Sequence, residues 1–207
     1  MTEYKTVLNR ASGEFTERRS RFIGHAKPVK TEEEAIAFIN ELKGKYWDAS
    51  HNVYAYTLRD GQVKRYSDDG EPQGTAGIPT LDVLLKSGVT DTVVVVTRYF
   101  GGILLGAGGL VRAYSHGASL ALEQAEIITM RECLLAELSC DYNQYGRLQA
   151  LVPECGGVVD DAQFTDQVKI CFHITEEELE RLQPRLADAT CGTVTVTKIG
   201  KNFFRVF

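Results

Sequence analysis

The chain has 207 residues, 43% of them hydrophobic and 25% charged, which is typical of a soluble globular protein and enough for two small domains. Its net charge of −5 argues against indiscriminate nucleic-acid binding, and no apolar run reaches the roughly 18 residues of a membrane-spanning helix. Five scattered cysteines without a C-x-x-C pair and no signal-peptide pattern argue against disulfides and zinc and favour the cytoplasm.

In the first half of the chain, strand and helix signals alternate. The segments RFIGHAKPV and NVYAYTL alternate apolar and polar residues, as half-buried strands do. Between them, Thr31 followed by Glu34 forms a capping-box pattern that predicts a helix. Trp47, just after this helix, is expected in the core. The buried face of the helix is expected to contain Ile36, Ile39, Leu42 and Tyr46.

A short helix and a buried strand follow. IPTLDVLLKSG predicts a helix with Pro79 near its first turn and Gly88 at its end. TVVVVTR, residues 92–98, is a continuous β-branched run, typical of a central strand covered on both faces. The buried side of the helix is expected to consist of Leu81, Leu84 and Leu85.

Beyond residue 130 the predicted order is strand, helix, strand, strand, helix, strand, which is that of a ferredoxin-like fold. A second capping-box pattern, Thr175 with Glu178, begins the later helix, and Pro184 is expected to kink or interrupt it. We therefore predict an α+β protein of two domains. Residues 1–130 form a mixed-sheet α/β domain, and residues 131–207 form a ferredoxin-like βαββαβ domain.

The segment TRYFGGILLGAGGLVRAYSHG, residues 97–117, places five glycines where the buried strand meets the next helix. It is neither of the two common nucleotide loops. Ala107 and Gly108 replace the lysine and hydroxyl residue of a Walker loop, and Val111 replaces the third glycine of a Rossmann fingerprint.

An anion site at this junction remains possible on general grounds. A helix beginning near Gly109 would direct free backbone N–H groups and its positive dipole end towards the loop. Arg98 at the end of the strand and Arg112 in the first turn of the helix favour a bound anion there. The alternative carries equal weight: the glycines serve tight packing, and Arg98 pairs with a local carboxylate.

The loop YSDDGEPQGTAGIP, residues 66–79, gathers the carboxylates of Asp68, Asp69 and Glu71. With His51 or His116 they would supply a hard metal site or an acid–base pair. Acidic residues in such Gly/Pro loops usually form turns and helix caps, and this structural interpretation is favoured. No metal ligand, cofactor or catalytic residue is assigned.

Charge is unevenly distributed. Residues 1–30 carry seven basic and three acidic side chains, whereas residues 131–207 carry eight basic and twelve acidic ones. A basic face that includes Arg19 and Arg21 is therefore possible in the first half. A solvated charged edge without a binding role explains the same pattern more simply.

The run from SDDGEPQGTAGIP to LGAGGLVRAY, residues 67–114, resembles the signature of the IMPACT family, whose bacterial members are called YigZ-like. Its most specific part is RYFGG followed by LGAGGLVRAY. HNVYAY and SRFIGHAKPV are also similar to the family. The resemblance covers most of residues 15–125, and the tail is similar to the small C-terminal domain of bacterial members.

The resemblance implies a fold and a cellular setting. The N-terminal domain is similar to an α/β fold shared by a ribosomal protein domain, GHMP kinases and the fourth domain of elongation factor G, and the C-terminal domain to the ferredoxin-like fifth domain of that factor. This suggests contact with RNA, ribosomes or translation factors. Eukaryotic relatives regulate translation through a stress-kinase pathway with an additional RWD domain, a contact that is not transferred to this chain.

We therefore expect a cytoplasmic, non-catalytic, RNA- or ribosome-associated regulator of translation or stress response that binds a polyanion or partner through the glycine-rich junction. A small-molecule or phosphate-ligand enzyme using the acidic loop and Arg98, and a protein–protein interaction module, are the alternatives. No cofactor, metal or membrane partner is expected. The candidate binding residues are Arg19, Arg21, His51, Asp68, Asp69, Glu71, Arg98, Tyr99, Phe100, Gly101, Gly102, Gly106, Gly108, Gly109 and Arg112.

Overall fold

The computed structural model describes residues 2–206 and has the predicted α+β composition. Contacts divide the chain into two compact units, Glu3–Thr129 and the part from Met130 onward, to which Thr2 also belongs. The elements up to residue 125 are β1 (Glu3–Val7), β2 (Ala11–Glu17), β3 (Ser20–Pro28), α1 (Glu32–Lys45), β4 (His51–Thr57), β5 (Lys64–Ser67), α2 (Gly77–Ser87), β6 (Thr92–Tyr99) and α3 (Ala107–Ala125). The later elements are β7 (Ile127–Cys140), α4 (Tyr142–Glu154), β8 (Val158–Phe164), β9 (Val168–Ile174), α5 (Glu176–Thr190) and β10 (Thr197–Arg205).

The first unit is built on an antiparallel sheet in the order β2-β3-β6-β4-β5. The β-branched run in β6 lies at its centre, as predicted. Val93 and Val95 face a core with α1, whereas Val94 and Val96 face a second core with α2 and α3. Neither face of a strand covered on both sides contacts solvent, so no alternate positions need to be polar. This explains the uninterrupted apolar sequence.

The helix α1 begins as predicted, and Ile39 and Leu42 of its predicted buried face lie in the core. Thr31 Oγ1 accepts from the Glu34 N–H at 3.3 Å, while the Glu34 carboxylate accepts from the Lys30 N–H, so only half of the capping box forms. Ile36 is exposed, which contradicts the predicted burial. The buried residues are Ala35, Phe38, Ile39 and Leu42, which follow helical spacing equally well.

Two further burial predictions are wrong in the same unit. Trp47 is 82% exposed instead of buried, and Leu85 is exposed although Leu84 beside it is fully buried. The α2 helix ends as predicted at Gly88, whose left-handed φ of 68° lets its N–H reach the carbonyls of the last turn.

The hairpin between β2 and β3 turns on two arginines. Glu17 pairs with Ser20, which leaves Arg18 and Arg19 as a two-residue loop with φ values of 45° and 64°. Such a turn requires two left-handed residues and normally contains Asn-Gly. Placing arginines there costs of order 1 kcal/mol each and fixes two cationic side chains at an exposed tip.

His25 in β3 makes the stability of the first unit depend on pH. Burial, with smaller contributions from Lys45 and Arg10, lowers its pKa to about 4, and within residues 2–206 its Nε2 has no hydrogen-bond partner. The unfolded chain binds this proton near pH 6.5, so stability is intact above that pH and decreases towards pH 4. The accumulated loss should be roughly 3 kcal/mol.

The measurement is urea unfolding of the wild type and of His25→Leu between pH 7.5 and 4. Because carboxylates titrate in both proteins, the informative quantity is the difference in unfolding free energy. That difference should shift in favour of the variant as the pH falls. A constant difference across the range would show that His25 is not held neutral by burial.

The second unit has the predicted β-α-β-β-α-β order, and its strands lie in the order β10-β7-β9-β8 within a five-stranded sheet that also includes β1. This is the strand order that the ferredoxin-like connection of elements produces. The two edge strands, β8 and β10, are both irregular, with register shifts at Val159/Asp161 and Lys198/Gly200. On β8 the shift places the Asp160 carboxylate 2.7 Å from His173 Nδ1.

The helix α5 starts with the full predicted capping box of Thr175 and Glu178. Pro184 does not interrupt it: the helix is continuous from Glu176 to Thr190, so the interruption, one of the two predicted effects, is wrong, and the kink stays a prediction. Leu179, Leu182 and Leu186 are buried on one face, and their packing compensates for the backbone hydrogen bond that the proline lacks. The five cysteines are free thiols, and within residues 2–206 no helix has the length and apolarity to cross a membrane.

Candidate functional site at the glycine-rich corner

The glycine-rich corner, residues 98–112, is the passage from β6 through a loop into α3. The helix begins at Ala107, with Gly106 as its cap at φ 71°. The predicted start near Gly109 is therefore two residues late, and Arg112 lies in the second turn and not the first. Neither a side-chain cap nor an acidic residue accompanies the first turn of α3, so its terminal N–H groups have no side-chain acceptor there.

Glycine occupies these positions of the corner for different structural reasons. A Cβ on Gly101 would lie 2.0 Å from the Arg19 carbonyl oxygen. The backbone of the loop therefore packs directly against the backbone of the turn between β2 and β3. Gly102 and Gly106 adopt left-handed φ values of 83° and 71°, which glycine tolerates without strain. At Gly108 a Cβ would meet nothing closer than 3.9 Å, and the backbone is open there.

A buried ionic cluster lies beneath the corner. Arg98 Nη1 donates to Glu71 Oε1 at 2.5 Å, and the Tyr114 hydroxyl donates to the same oxygen at 2.8 Å. The Glu71 side chain is only 3% exposed. The Arg98 guanidinium also lies between the rings of Phe22 and Phe100, at 5.5 and 5.4 Å from their centroids. These contacts offset part of the desolvation of both charges, while Arg98 Nε is buried without a hydrogen-bond partner among residues 2–206.

Tyr114 was not recognised from the sequence, although it completes this cluster. Burial, reinforced by the neighbouring Glu71 carboxylate, raises the pKa of Tyr114 far above its ordinary value. Its hydroxyl therefore stays protonated and acts as a hydrogen-bond donor throughout the physiological range. Nothing in the sequence around Tyr114 indicates that its hydroxyl contacts Glu71, which lies 43 residues away in the chain.

The three carboxylates of the acidic loop separate into different roles. Asp68 accepts from the backbone N–H groups of Gly74, Ala76 and Gly77 at 2.8–3.0 Å and thereby caps α2. Burial alone would raise the pKa of Asp68, but these donors prevail and lower it. Asp69 accepts from Lys43 Nζ and the Asn52 N–H, both at 2.6 Å. Of the three, Glu71 alone belongs to the ionic cluster.

His51 links the acidic loop to the cluster. Its Nδ1 lies 2.8 Å from the Asp69 carbonyl oxygen, and because a carbonyl only accepts, Nδ1 carries a proton. The opposite ring atom, Nε2, lies 3.8 Å from Glu71 Oε1, which is too long for a hydrogen bond. Nε2 therefore retains an unused hydrogen-bonding position.

The remaining predicted residues lie on the outer side of the corner. The Tyr99 hydroxyl donates to Asp48 at 2.7 Å, and the Phe100 N–H donates to Ser50 Oγ at 3.1 Å. Arg21 is directly opposite Tyr99 in the sheet and forms an exposed ion pair with Glu14. Arg21 is thus held by a neighbour and is not part of either cavity described next.

Two cavities open on either side of the α3 N-terminus. The first, of about 490 Å³, is termed the apolar cavity. The second, of about 440 Å³, is termed the arginine cavity. The principal residues around the apolar cavity are His51, Glu71, Pro72, Arg98, Phe100, Leu104, Leu105 and Leu110. Those around the arginine cavity are Phe15, Glu17, Arg18, Leu105, Gly109, Arg112 and His116.

The structure therefore groups the candidates in a way that the sequence did not. His51, Glu71, Arg98 and Phe100 meet at the apolar cavity, whereas Arg112 lies at the arginine cavity with Arg18, which was not singled out. His116 packs its ring against Phe15 at 4.5 Å, away from the acidic loop. Among residues 2–206 no group of three or more acidic, histidine or cysteine side chains is arranged to hold a metal ion.

Comparison with known proteins matches both parts of the chain. A family model described as the Impact N-terminal domain matches residues 18–122, and a domain of unknown function, DUF1949, matches residues 138–193. The first match contains the corner and the apolar cavity, whereas Phe15 and Glu17 of the arginine cavity precede it. The second lies within the ferredoxin-like unit.

Bacterial relatives match nearly the whole length of this chain. The IMPACT family member YvyE of Bacillus subtilis is 36% identical over 190 residues, covering 91% of this chain and 88% of that protein. YigZ of Escherichia coli is 36% identical over 187 residues, covering 88% and 91%. The Protein IMPACT homolog of Dictyostelium discoideum is 40% identical but covers 49% of this chain and 29% of its own. A crystal structure titled as a hypothetical protein is 32% identical, covers 96% and 98% of the two chains and has a TM-score of 0.61.

Proposed function

Because the chain belongs to the IMPACT family, we propose that it is a cytoplasmic RNA-associated regulator of translation that holds RNA phosphates at the arginine cavity. The relatives include eukaryotic proteins named IMPACT. This similarity supports a regulatory role that is shared across the family. RNA as the partner is the specific part of the proposal, and the geometry of the corner supports it.

The observation that carries the proposal is the grouping of cations beside an uncapped helix start. Arg18, Arg112 and His116 line one cavity with Gly109 of the first turn of α3. Arg18 and Arg112 are exposed, and backbone N–H groups at a helix N-terminus attract phosphate oxygens. Glu17 in the same lining is the one opposing charge and is outnumbered by the two arginines.

The hairpin geometry gives a second reason. Arg18 and Arg19 occupy left-handed positions that asparagine and glycine would fill at lower cost. A strained conformation that persists beside a cavity is typical of functional sites. The expected result of this arrangement is phosphate-directed binding with little sequence preference. The overall net charge of −5 opposes binding over the whole surface, so the proposal depends on the local excess of basic residues within the first 30 residues.

The test is binding of the full chain to ribosomal subunits and to structured RNA at rising salt. We expect co-sedimentation at about 50 mM salt that is lost at several hundred millimolar, as counterion release requires. Replacing Arg18 and Arg112 together by alanine should weaken binding about tenfold and reduce the salt slope by about 2.

A matched control removes two exposed cations elsewhere, Lys86→Ala with Arg181→Ala. This pair should leave affinity nearly unchanged. If the control pair weakens binding as much as the arginine pair does, the charge of the whole protein and not the arginine cavity is responsible. Absence of binding at low salt would refute RNA association altogether.

A further inference from the structure

We infer that the apolar cavity receives one unpaired nucleobase of the RNA whose phosphates lie at the arginine cavity. This inference rests on the proposed function and deepens it, because it turns a surface for phosphates into a site that requires single-stranded RNA. Three independent features of the cavity carry it: its walls, its polar floor and its position.

The walls of the cavity suit a flat apolar ring. The volume of about 490 Å³ lies in the range of small-molecule sites. Phe100 and Leu104 border it with 47% and 80% of their surfaces exposed, so each presents apolar area without a covering residue. The Arg98 guanidinium 5.4 Å from the Phe100 centroid fixes that ring, and a fixed aromatic ring is a platform on which a base stacks.

The floor of the cavity supplies polar atoms that a purely apolar guest would leave unpaired. His51 Nε2 makes no hydrogen bond to another atom of residues 2–206, and the Glu71 carboxylate oxygen Oε1 lies 3.8 Å from it. Burying such an atom under a hydrocarbon group costs free energy. The edge of a nucleobase carries both donors and acceptors, so it satisfies Nε2 in either protonation state of the ring.

The position of the cavity connects it with the arginine cavity. Leu105 borders both of them, and α3 passes between, with Ala107 on one side and Arg112 on the other. Five residues of helix separate those two by about 7.5 Å along the axis. Because the helix is itself about 10 Å across, a phosphate at Arg112 and a base over Phe100 belong to a stretch of a few nucleotides that passes over the start of α3.

The experiment compares two fluorescein-labelled uridine strands of about nine nucleotides. One is intact, and the other lacks its central bases but keeps every phosphate. By fluorescence anisotropy at about 50 mM salt, the wild type should bind the abasic strand about tenfold more weakly, the magnitude of one lost base–aromatic stack.

A cavity-filling variant separates the base from the phosphates. Ala107 is exposed at the cavity rim, so the phenylalanine ring of Ala107→Phe should fill the cavity. The variant should then bind the intact strand as weakly as the wild type binds the abasic strand, and both strands equally. Ser119→Phe, exposed on the same helix twelve residues further on, is the matched control and should keep the tenfold difference. Circular dichroism and thermal unfolding establish that both variants fold alike.

The outcomes separate this inference from the function on which it rests. Equal binding of both strands by the wild type, still dependent on Arg18 and Arg112, would overturn the base site and leave the phosphate site intact. A tenfold difference that survives in Ala107→Phe would place the base elsewhere and also overturn the inference. Failure of both strands to bind at low salt would overturn both proposals.

Discussion

Replacing Glu71 by alanine should lower the free energy of unfolding by about 3–5 kcal/mol, because it leaves the Arg98 guanidinium buried without its counter-charge. The carboxylate is 3% exposed and accepts from both Arg98 and Tyr114. The variant loses both hydrogen bonds and keeps the full desolvation of the cation. Urea unfolding followed by circular dichroism at pH 7.5 measures the effect.

An exposed pair of the same chemistry provides the comparison. Glu14 binds Arg21 at 2.5 Å, with more than half of each side chain exposed, and Glu14→Ala should cost less than about 1 kcal/mol. The double replacement Glu71→Leu with Arg98→Met removes both charges and should recover much of the lost stability. Similar costs for Glu71→Ala and Glu14→Ala would show that the cluster is solvated and not a buried ion pair.

Gly24→Ala should destabilise the first unit by about 3 kcal/mol or more, which is the upper end of overpacking costs. A Cβ at Gly24 would lie 2.1 Å from the Gly117 carbonyl oxygen in α3. Neither backbone moves easily, since β3 is hydrogen-bonded to β2 and β6 on its two sides. Peptide-resolved hydrogen exchange should therefore show faster exchange in β3 and α3 together with the lower urea midpoint.

Gly44 in α1 is the matched control. It is exposed, and a Cβ there would meet nothing within 4 Å, so Gly44→Ala should stabilise the protein by roughly 0.5–1 kcal/mol through helix propensity. The two changes thus add the same methyl group, but Gly24→Ala should lower the free energy of unfolding and Gly44→Ala should raise it. A tolerated Gly24→Ala would mean that β3 and α3 are further apart than the contact indicates.

The predictions that succeeded rest on local signals. The apolar run of β6, the Gly88 end of α2 and the capping box of Thr175 and Glu178 are each specified by residues next to one another. The ferredoxin-like order followed from the sequence of such elements. These features need no knowledge of what packs against them, which is why the sequence alone predicted them.

The features that the sequence did not predict depend on distant partners. Glu71 and Arg98 are 27 residues apart, and nothing near Glu71 distinguishes it from Asp68, which caps a helix instead. Trp47 was expected in the core, but tertiary packing leaves it exposed. For α1 the sequence analysis placed Ile36 in the core, whereas the contact with β6 buries Ala35 instead.

The shifted registers of β8 and β10 affect how the second unit behaves at high concentration. An unpaired, flat edge strand is a template on which another chain adds as a new strand. Here each edge is interrupted by an extra residue, and charged side chains border the interruptions, with Asp160 and Asp161 on β8 and Lys198 and Lys201 on β10. The open edges formed by β8 and β10 are thereby poor seeds for fibrous aggregation.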